Sequence, residues 1–251
     1  PEAFNHLADG ETLTLDYSVI ATDSQGSDSA AQVVTITITG TNDAPVAYDD
    51  STPTTSENAV YAGNVPAATD VDGTIASYTL DTDVAEGSLT FNADGSYSFA
   101  PGAAFDDLAF GESRSVSFTY FATDDFGADS AIQTVTIDVT GANDAPVITV
   151  GGTDSASEPL TETDAALSVS GTLSVEDLDV TDTVSTSVTS VTATGDDNGI
   201  ANGDLLAMLS VDAGNVIDNL STTGSINWSF DSNPEAFNHL ADGETLTLDY
   251  S

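Results

Sequence analysis

Hydrophobic and polar residues alternate along most of the chain. Leu13, Leu15, Tyr17, Val19 and Ala21 share one side of a run whose other side is polar, broken only at Ile20. Val34, Ile36 and Ile38 alternate with Thr35, Thr37 and Thr39. A period of two sends successive side chains to opposite faces of an extended strand. Between the two runs, Asp23-Ser-Gln-Gly26 supplies turn residues and a glycine, so the pair predicts a hairpin. The pattern returns as Val116-Phe118-Tyr120-Ala122 and Val135-Ile137-Val139 around Asp124-Asp-Phe-Gly127. Leu89-Phe91 and Tyr97-Phe99 flank a further turn at Asn92–Gly95, and Ile226, Trp228 and Phe230 make another inward face. Only Asn202–Leu209 has helical spacing, with Leu205, Met208 and Leu209 on one side and Asn202 placed to cap it. Many short strands with turn signals between them predict an all-β chain of β-sandwich domains.

Two repeats organise these strands. Residues 1–18 recur unchanged at 234–251, a period of 233 residues, which marks a tandem array. Inside it, residues 4–46 align without gaps on 105–147 at an offset of 101, with about half the positions identical. Gly40-Thr-Asn-Asp-Ala-Pro-Val46 and Gly141-Ala-Asn-Asp-Ala-Pro-Val147 are the two copies of a joint that ends one domain and opens the next. The expected organisation is the C-terminal part of one sandwich at 1–44, a complete sandwich at 45–145, and the N-terminal part of the first type at 146–251. Residues 147–251 are then expected to be completed by the equivalent of 19–45 from the next unit, in a continuous polymer or by head-to-tail strand exchange. Residues 1–39 are not expected to complete 147–251 of the same chain.

Charge changes this picture from a generic sandwich to a cation-dependent one. The chain carries 42 acidic residues against one basic residue, Arg114, for a net charge of −41. Nucleic acid and anionic membrane surfaces need Lys and Arg to meet phosphate, so neither is a partner. Alternating apolar runs exclude an acidic disordered chain. What remains is a fold whose carboxylates hold cations, and their hard oxygens suit calcium. With no cysteine, disulfides and thiolate metal sites are excluded. No apolar run approaches the ~20 residues that span a bilayer.

Several stretches resemble known families. Leu7-Ala-Asp-Gly-Glu-Thr-Leu-Thr-Leu-Asp-Tyr-Ser, Ala21-Thr-Asp, and Val34-Thr-Ile-Thr-Ile-Thr-Gly-Thr-Asn-Asp-Ala-Pro-Val resemble the C-terminal half of a VCBS repeat. Gly171-Thr-Leu-Ser-Val-Glu-Asp-Leu-Asp and Trp228-Ser-Phe resemble its N-terminal half. The middle domain, with Ala68-Thr-Asp-Val-Asp-Gly and Asn92-Ala-Asp-Gly-Ser-Tyr-Ser-Phe, resembles a bacterial cadherin-like repeat. The resemblance implies tandem Ig/cadherin-like sandwiches forming a calcium-stiffened extender or filament of a large RTX-type adhesin. It places the chain outside a bacterial cell, at the surface and in biofilm adhesion, with tip ligands such as glycans bound by other regions.

Calcium collects six to eight oxygens. At the first joint these are Asn42 and Asp43, with Asp70 and Asp72 of Asp-Val-Asp and Asp124 of Ala-Thr-Asp. At the second they are Asn143 and Asp144, with Asp177 and Asp179 of Asp-Leu-Asp. Residues i and i+2 of a strand face one side, so each Asp-x-Asp pair can aim at one ion. Asp23, the counterpart of Asp124, would reach the second joint from a neighbouring unit. In cadherins a Glu from the preceding domain joins the set, which points to Glu57 for the second joint. Cadherin linkers read Asp-x-Asn-Asp-Asn, whereas Gly40, Gly141, Ala44 and Ala145 remove ligands here, so one or two ions per joint are expected. Asn-Asp before Pro is also a good turn without metal; recurrence of the whole set in two domains favours the ion.

Other chemistry is thin. Asp196–Asp204 lacks EF-hand spacing and is expected to be a solvated loop capping the helix. His6 and His239 are one repeated position without a partner, and no nucleophile–base order or phosphate loop stands out, so no enzyme is expected. The alternative is a surface module for carbohydrate or protein, for which Phe121 and Phe126 are the exposed aromatic candidates.

Overall fold

The computed structural model describes residues 3–251; Pro1 and Glu2, the first two residues of the repeated stretch, lie outside it. Packing divides the chain into two units: residues up to Ala104 with Ser113–Thr140, and Phe105–Glu112 with Gly141–Ser251.

The first unit opens with β1 (Thr12–Val19) and β2 (Gln32–Thr39), an antiparallel hairpin whose strands pair only with each other among the described residues. It continues through β3 (Thr54–Ser56), β4 (Tyr61–Asn64), β5 (Ile75–Thr82), β6 (Ser88–Phe91) and β7 (Ser96–Ala100), then a 3-10 turn at Gly102–Ala104. β8 (Ser113–Asp124) and β9 (Gln133–Thr140) complete it. One sheet runs β3-β9-β8-β5, with β3 parallel to β9, and the other β4-β7-β6. The alternation in β8 and β9 buries Val116, Phe118, Tyr120, Ala122, Val135, Ile137 and Val139. Across the layers the ring of Tyr97 meets Phe118 at 5.0 Å and Phe91 meets it at 5.8 Å, so the two sheets form a sandwich. Tyr120, fully buried, keeps its hydroxyl satisfied by donating to the Tyr48 carbonyl at 2.7 Å.

The hairpins β1–β2 and β8–β9 repeat one design. Pairing runs from Thr12↔Thr39 to Val19↔Gln32 in the first and from Ser113↔Thr140 to Tyr120↔Gln133 in the second, the same register at the 101-residue offset. Both turns place glycine in the left-handed region, Gly26 at φ 85° and Gly127 at φ 89°, where glycine alone is unstrained. Thr22 donates to Asp28 at 2.6 Å as Thr123 donates to Asp129 at 2.7 Å.

The second unit contains β10 (Val147–Thr149), β11 (Ser168–Glu176), β12 (Val184–Ser185) and β13 (Val191–Thr194). Then follow α1 (Asn202–Leu206), β14 (Leu209–Val211), β15 (Asn215–Ile217), β16 (Thr223–Asp231) and β17 (Thr247–Tyr250). Its sheets are β10-β11-β16-β14, β12-β15 and β13-β17. One core gathers Val191, Leu205, Met208, Phe230 and Phe237; a second gathers Val175, Val184, Ile217 and Ile226. Gly171 faces Trp228 across the β11–β16 ladder, and a Cβ there would meet the indole at 2.6 Å. The glycine lets the ring lie across the strand, half-buried, while its N–H donates to the Ser155 carbonyl at 2.8 Å.

Three local features differ from expectation. Asn202 is the first residue of α1 rather than its cap; Ala201 holds that position with no side-chain hydrogen bond. The Asp196–Asp204 loop does not cap the helix either. Asp196 accepts from the Asn198 N–H and Asp197 from the Gly199 N–H, both at 2.9 Å, so the carboxylates fold the loop's own turn. The helix is also shorter than expected, because Leu209 passes into β14.

Candidate metal centres at the two joints

Each joint begins with a glycine that admits no other residue. A Cβ at Gly40 would lie 2.3 Å from the Leu7 carbonyl oxygen, and one at Gly141 would lie 2.2 Å from that of Leu108. The two carbonyls belong to equivalent turns, in which Glu11 accepts from the Ala8 N–H and Glu112 from the Ala109 N–H. Close backbone packing therefore explains the glycine where a cadherin linker carries Asp.

At the first joint, Asn42 Nδ2 donates to Asp124 Oδ2 at 2.8 Å. Asp124 is itself buried, and its other oxygen accepts from Phe126 and Ala128 N–H at 2.9 and 2.8 Å. These donors, Asn42 foremost, hold its carboxyl below the usual range against the opposing effect of burial. Asp43 N–H donates to both Asp72 oxygens, at 3.3 and 3.1 Å. Asp70 Oδ1 in turn accepts from the N–H groups of Asp72 and Gly73 at 3.1 and 2.9 Å. Burial pushes the Asp72 carboxyl up, and the charges of Asp70 and Asp43 push it further, while the Asp43 N–H opposes. Asn42 Oδ1 and Asp70 Oδ2 are buried with no hydrogen-bond partner.

The second joint repeats this geometry within its own unit. Asp144 N–H donates to Asp179 Oδ2 at 2.9 Å, and Asp179 N–H donates to Asp177 Oδ1 at 3.2 Å. Asp177 and Asp179 are both buried, and Asp179 Oδ1 has no hydrogen-bond partner. Burial first, then the charges of Asp182, Asp144 and Asp177, push the Asp179 carboxyl up. Asn143 differs from Asn42: its Nδ2 donates to the carbonyl of its own neighbour Asp144 at 2.8 Å.

Asp23 stands in the exposed β1–β2 turn, where its Oδ1 accepts from Gln25 and Ser27 N–H at 2.9 Å each. That is the pattern of Asp124 without its Asn. Glu57 is buried in the first unit, with its N–H donating to the Thr140 carbonyl at 3.0 Å. Reasoning from sequence missed Asp182, although Asp177-Leu-Asp-Val-Thr-Asp182 places it close in the chain. It also missed Asp125, which accepts from Thr74 N–H at 2.8 Å and approaches Gly73 because that residue lacks a Cβ.

Unbonded buried oxygens and carboxylates destabilised by one another are the donors a hard cation satisfies, so these residues fit calcium in kind. They are brought together in pairs: among the described residues no three acidic or histidine side chains assemble as a metal-binding group. The sole guanidinium, Arg114, donates to Glu86 and to the Ala104 carbonyl, at 3.4 and 3.0 Å.

The two layers and their ring contacts define an all-β protein of the Ig/cadherin-like sandwich class. Residues 42–141, from one joint to the next, match the bacterial cadherin-like domain family. No curated protein sequence matches the chain. Similar solved structures include PcdhgB3 EC1-4, at 12% identity over 98% of this chain and 71% of that one, with a TM-score of 0.47. Drosophila N-cadherin EC1-4 is 17% identical over 95% of this chain and 57% of its own, with a TM-score of 0.37. Mouse clustered PcdhgC3 EC1-3 is 13% identical over 99% and 78%, with a TM-score of 0.38. At these values the likeness carries no argument about what the chain binds. The cadherin-like domain is an adhesion-type structural repeat, and no helix of the described residues is long and apolar enough to cross a membrane.

Proposed function

We propose that the chain is a calcium-stiffened extender or filament segment of a large, VCBS/RTX-type adhesin displayed outside a bacterial cell, with no catalytic role. The observation that carries this reading is the repeated joint geometry, with buried oxygens left unbonded at Asn42, Asp70 and Asp179. Calcium at the first joint would be held by Asn42, Asp43, Asp70, Asp72 and Asp124. At the second it would be held by Asn143, Asp144, Asp177 and Asp179, with Glu57 from the preceding domain and Asp23 from a neighbouring unit. The ion neutralises clustered carboxylates and fixes the angle of the chain across each joint.

Binding to the folded state alone stabilises it by about 2.7 kcal/mol at a hundredfold excess over Kd. EGTA is therefore expected to lower the melting temperature and broaden the distance distribution from small-angle scattering. If both are unchanged, the calcium reading is wrong. A second reading, a binding surface for glycan or protein, draws on Phe126, 51% exposed, and on Phe110, 82% exposed, which the sequence did not single out; Phe121, expected to be exposed, is half-buried in β8 and drops out. Binding on a glycan array that is lost in Phe126→Ala or Phe110→Ala would favour it.

A further inference from the structure

We propose that Asn219 is an attachment site for an N-linked glycan: the fold leaves it open and closes the competing position at Asn227. The modification is independent of bound calcium.

Only two of the chain's thirteen asparagines stand in the Asn-x-Ser/Thr pattern that N-glycosyltransferases read, Asn219-Leu-Ser221 and Asn227-Trp-Ser229. The second is locked into a strand. Asn227 pairs with Thr172 across the β11–β16 ladder, and its carbonyl accepts from Asp212 N–H at 3.1 Å. Its own N–H and its Nδ2 both donate to Asp212 Oδ2, at 2.9 and 2.8 Å. Ser229, the hydroxyl of that pattern, shares a 2.9 Å bond with Ser210 across the β14–β16 pair. Trp228 between them lies over Gly171. A transferase would have to strip β16 from both neighbouring strands to reach this amide.

Asn219 is presented instead. It stands exposed in the turn between β15 and β16, and its side chain makes no hydrogen bond among the described residues. The turn is held by its own residues: Leu220 N–H donates to Asp218 Oδ1 at 3.1 Å and Ser221 N–H to the Asp218 carbonyl at 3.3 Å. Ser221 Oγ donates to the Thr223 carbonyl at 2.8 Å, so freeing this hydroxyl for an enzyme breaks one local bond and no ladder. A second observation points to the same place. Leu220 is 83% exposed, apolar surface that the fold itself does not use, and a glycan on the adjoining amide covers it. The Thr222 carbonyl accepts from Asp177 N–H at 2.9 Å, which sets the bulky, hydrated group beside the second joint. The co-substrate is a sugar activated by a phosphate or diphosphate at its anomeric carbon. Asn219 Nδ2 bonds to that carbon, and the carbon–oxygen bond to phosphate breaks. The phosphate leaves with the bonding pair, and one Nδ2 proton passes to a base on the transferase. No oxidant or reductant takes part.

The test is peptide mapping by mass spectrometry of the chain purified from the cells that make it, with variants produced in the same cells. Asn219 is expected to carry a sugar mass and Asn227 none. Asn219→Gln and Ser221→Ala should lose that mass, and Ser221→Thr should keep it, because either hydroxyl completes the pattern. Asn227→Gln should leave it unchanged. A bare Asn219 in the native chain overturns the proposal, as does a sugar mass that survives Asn219→Gln or Ser221→Ala, or one that sits on Asn227.

Discussion

Hairpins β1–β2 and β8–β9 share register, turn geometry and about half their residues, yet one is bare and the other is the heart of a sandwich. Phe118, Tyr120 and Val135 sit at 1%, 0% and 0% exposure, while their counterparts Tyr17, Val19 and Val34 stand at 52%, 50% and 48%. The difference lies in what the neighbouring chain supplies. β5 borders β8, β3 borders β9, and the β4-β7-β6 sheet covers the apolar face. No equivalent strands border β1 and β2 among the described residues. Turn chemistry and cross-strand pairing thus set the register of the hairpin, while burial of its face, and with it stability, depends on a partner sheet.

The largest expected effect sets twin positions against each other. Phe118→Ala should destabilise by about 3–5 kcal/mol in denaturant unfolding, the usual cost of emptying a buried ring site. Tyr17→Ala in a dilute sample should stay within about 0.5 kcal/mol, as for other exposed sites. Equal losses would break the comparison.

Next come the joint glycines. Gly141→Ala drives a methyl into the Leu108 and Ala109 carbonyls and should cost about 1–3 kcal/mol, as overpacking does. Gly40→Ala makes the same clash with Leu7 and Ala8. Its effect should be a local rise in amide exchange at Gly10, whose N–H donates to the Gly40 carbonyl at 3.2 Å, with little change in global unfolding.

The carboxylate pairs should respond in opposite directions to one substitution. Asp179→Asn removes a charge that burial and three neighbouring Asp residues disfavour, so the melting temperature without calcium should rise. The same variant should lose the gain that calcium gives to the wild type. A variant that kept the calcium gain would remove Asp179 from the site.

The smallest effect concerns a clamp outside the hairpins. Asp154 accepts from Gly151 N–H at 2.7 Å and from Ser174 N–H and Oγ at 2.9 and 2.8 Å. These donors, the Gly151 N–H first, depress its folded pKa below the ordinary carboxylate value. A depressed folded pKa gives stability that is complete above the unfolded value of about 3.9 and is lost as pH falls through the folded one. Asp154→Asn should flatten this part of the acid limb of a stability–pH curve and leave neutral-pH calcium titrations unchanged.

Strand alternation and turn glycines made both hairpins legible in the sequence, together with the inward faces at Val116–Ala122 and Ile226–Phe230. The Asp-x-Asp pairs were legible because recurrence singled them out from a heavily acidic background. What stayed hidden depends on tertiary approach. Gly40 and Gly141 read as lost ligands, whereas the structure shows them admitting a carbonyl. Asp125 meets Thr74 through folding rather than through any motif. The mistaken capping role of the Asp196–Asp204 loop is local instead: short polar side chains satisfy the nearest backbone, and for Asp196 and Asp197 that was the loop's own.

The engagement of Arg114 with Glu86 and Ala104 has a consequence for the charge balance of the chain. With 42 acidic groups and a single basic one already committed, nearly every countercharge must be borrowed from the surrounding water. In the array we propose, stiffness is then set by the electrolyte as much as by the polypeptide. Moving the same molecule between dilute and calcium-rich water would retune it as ionic strength retunes a polyelectrolyte gel, without any change of sequence.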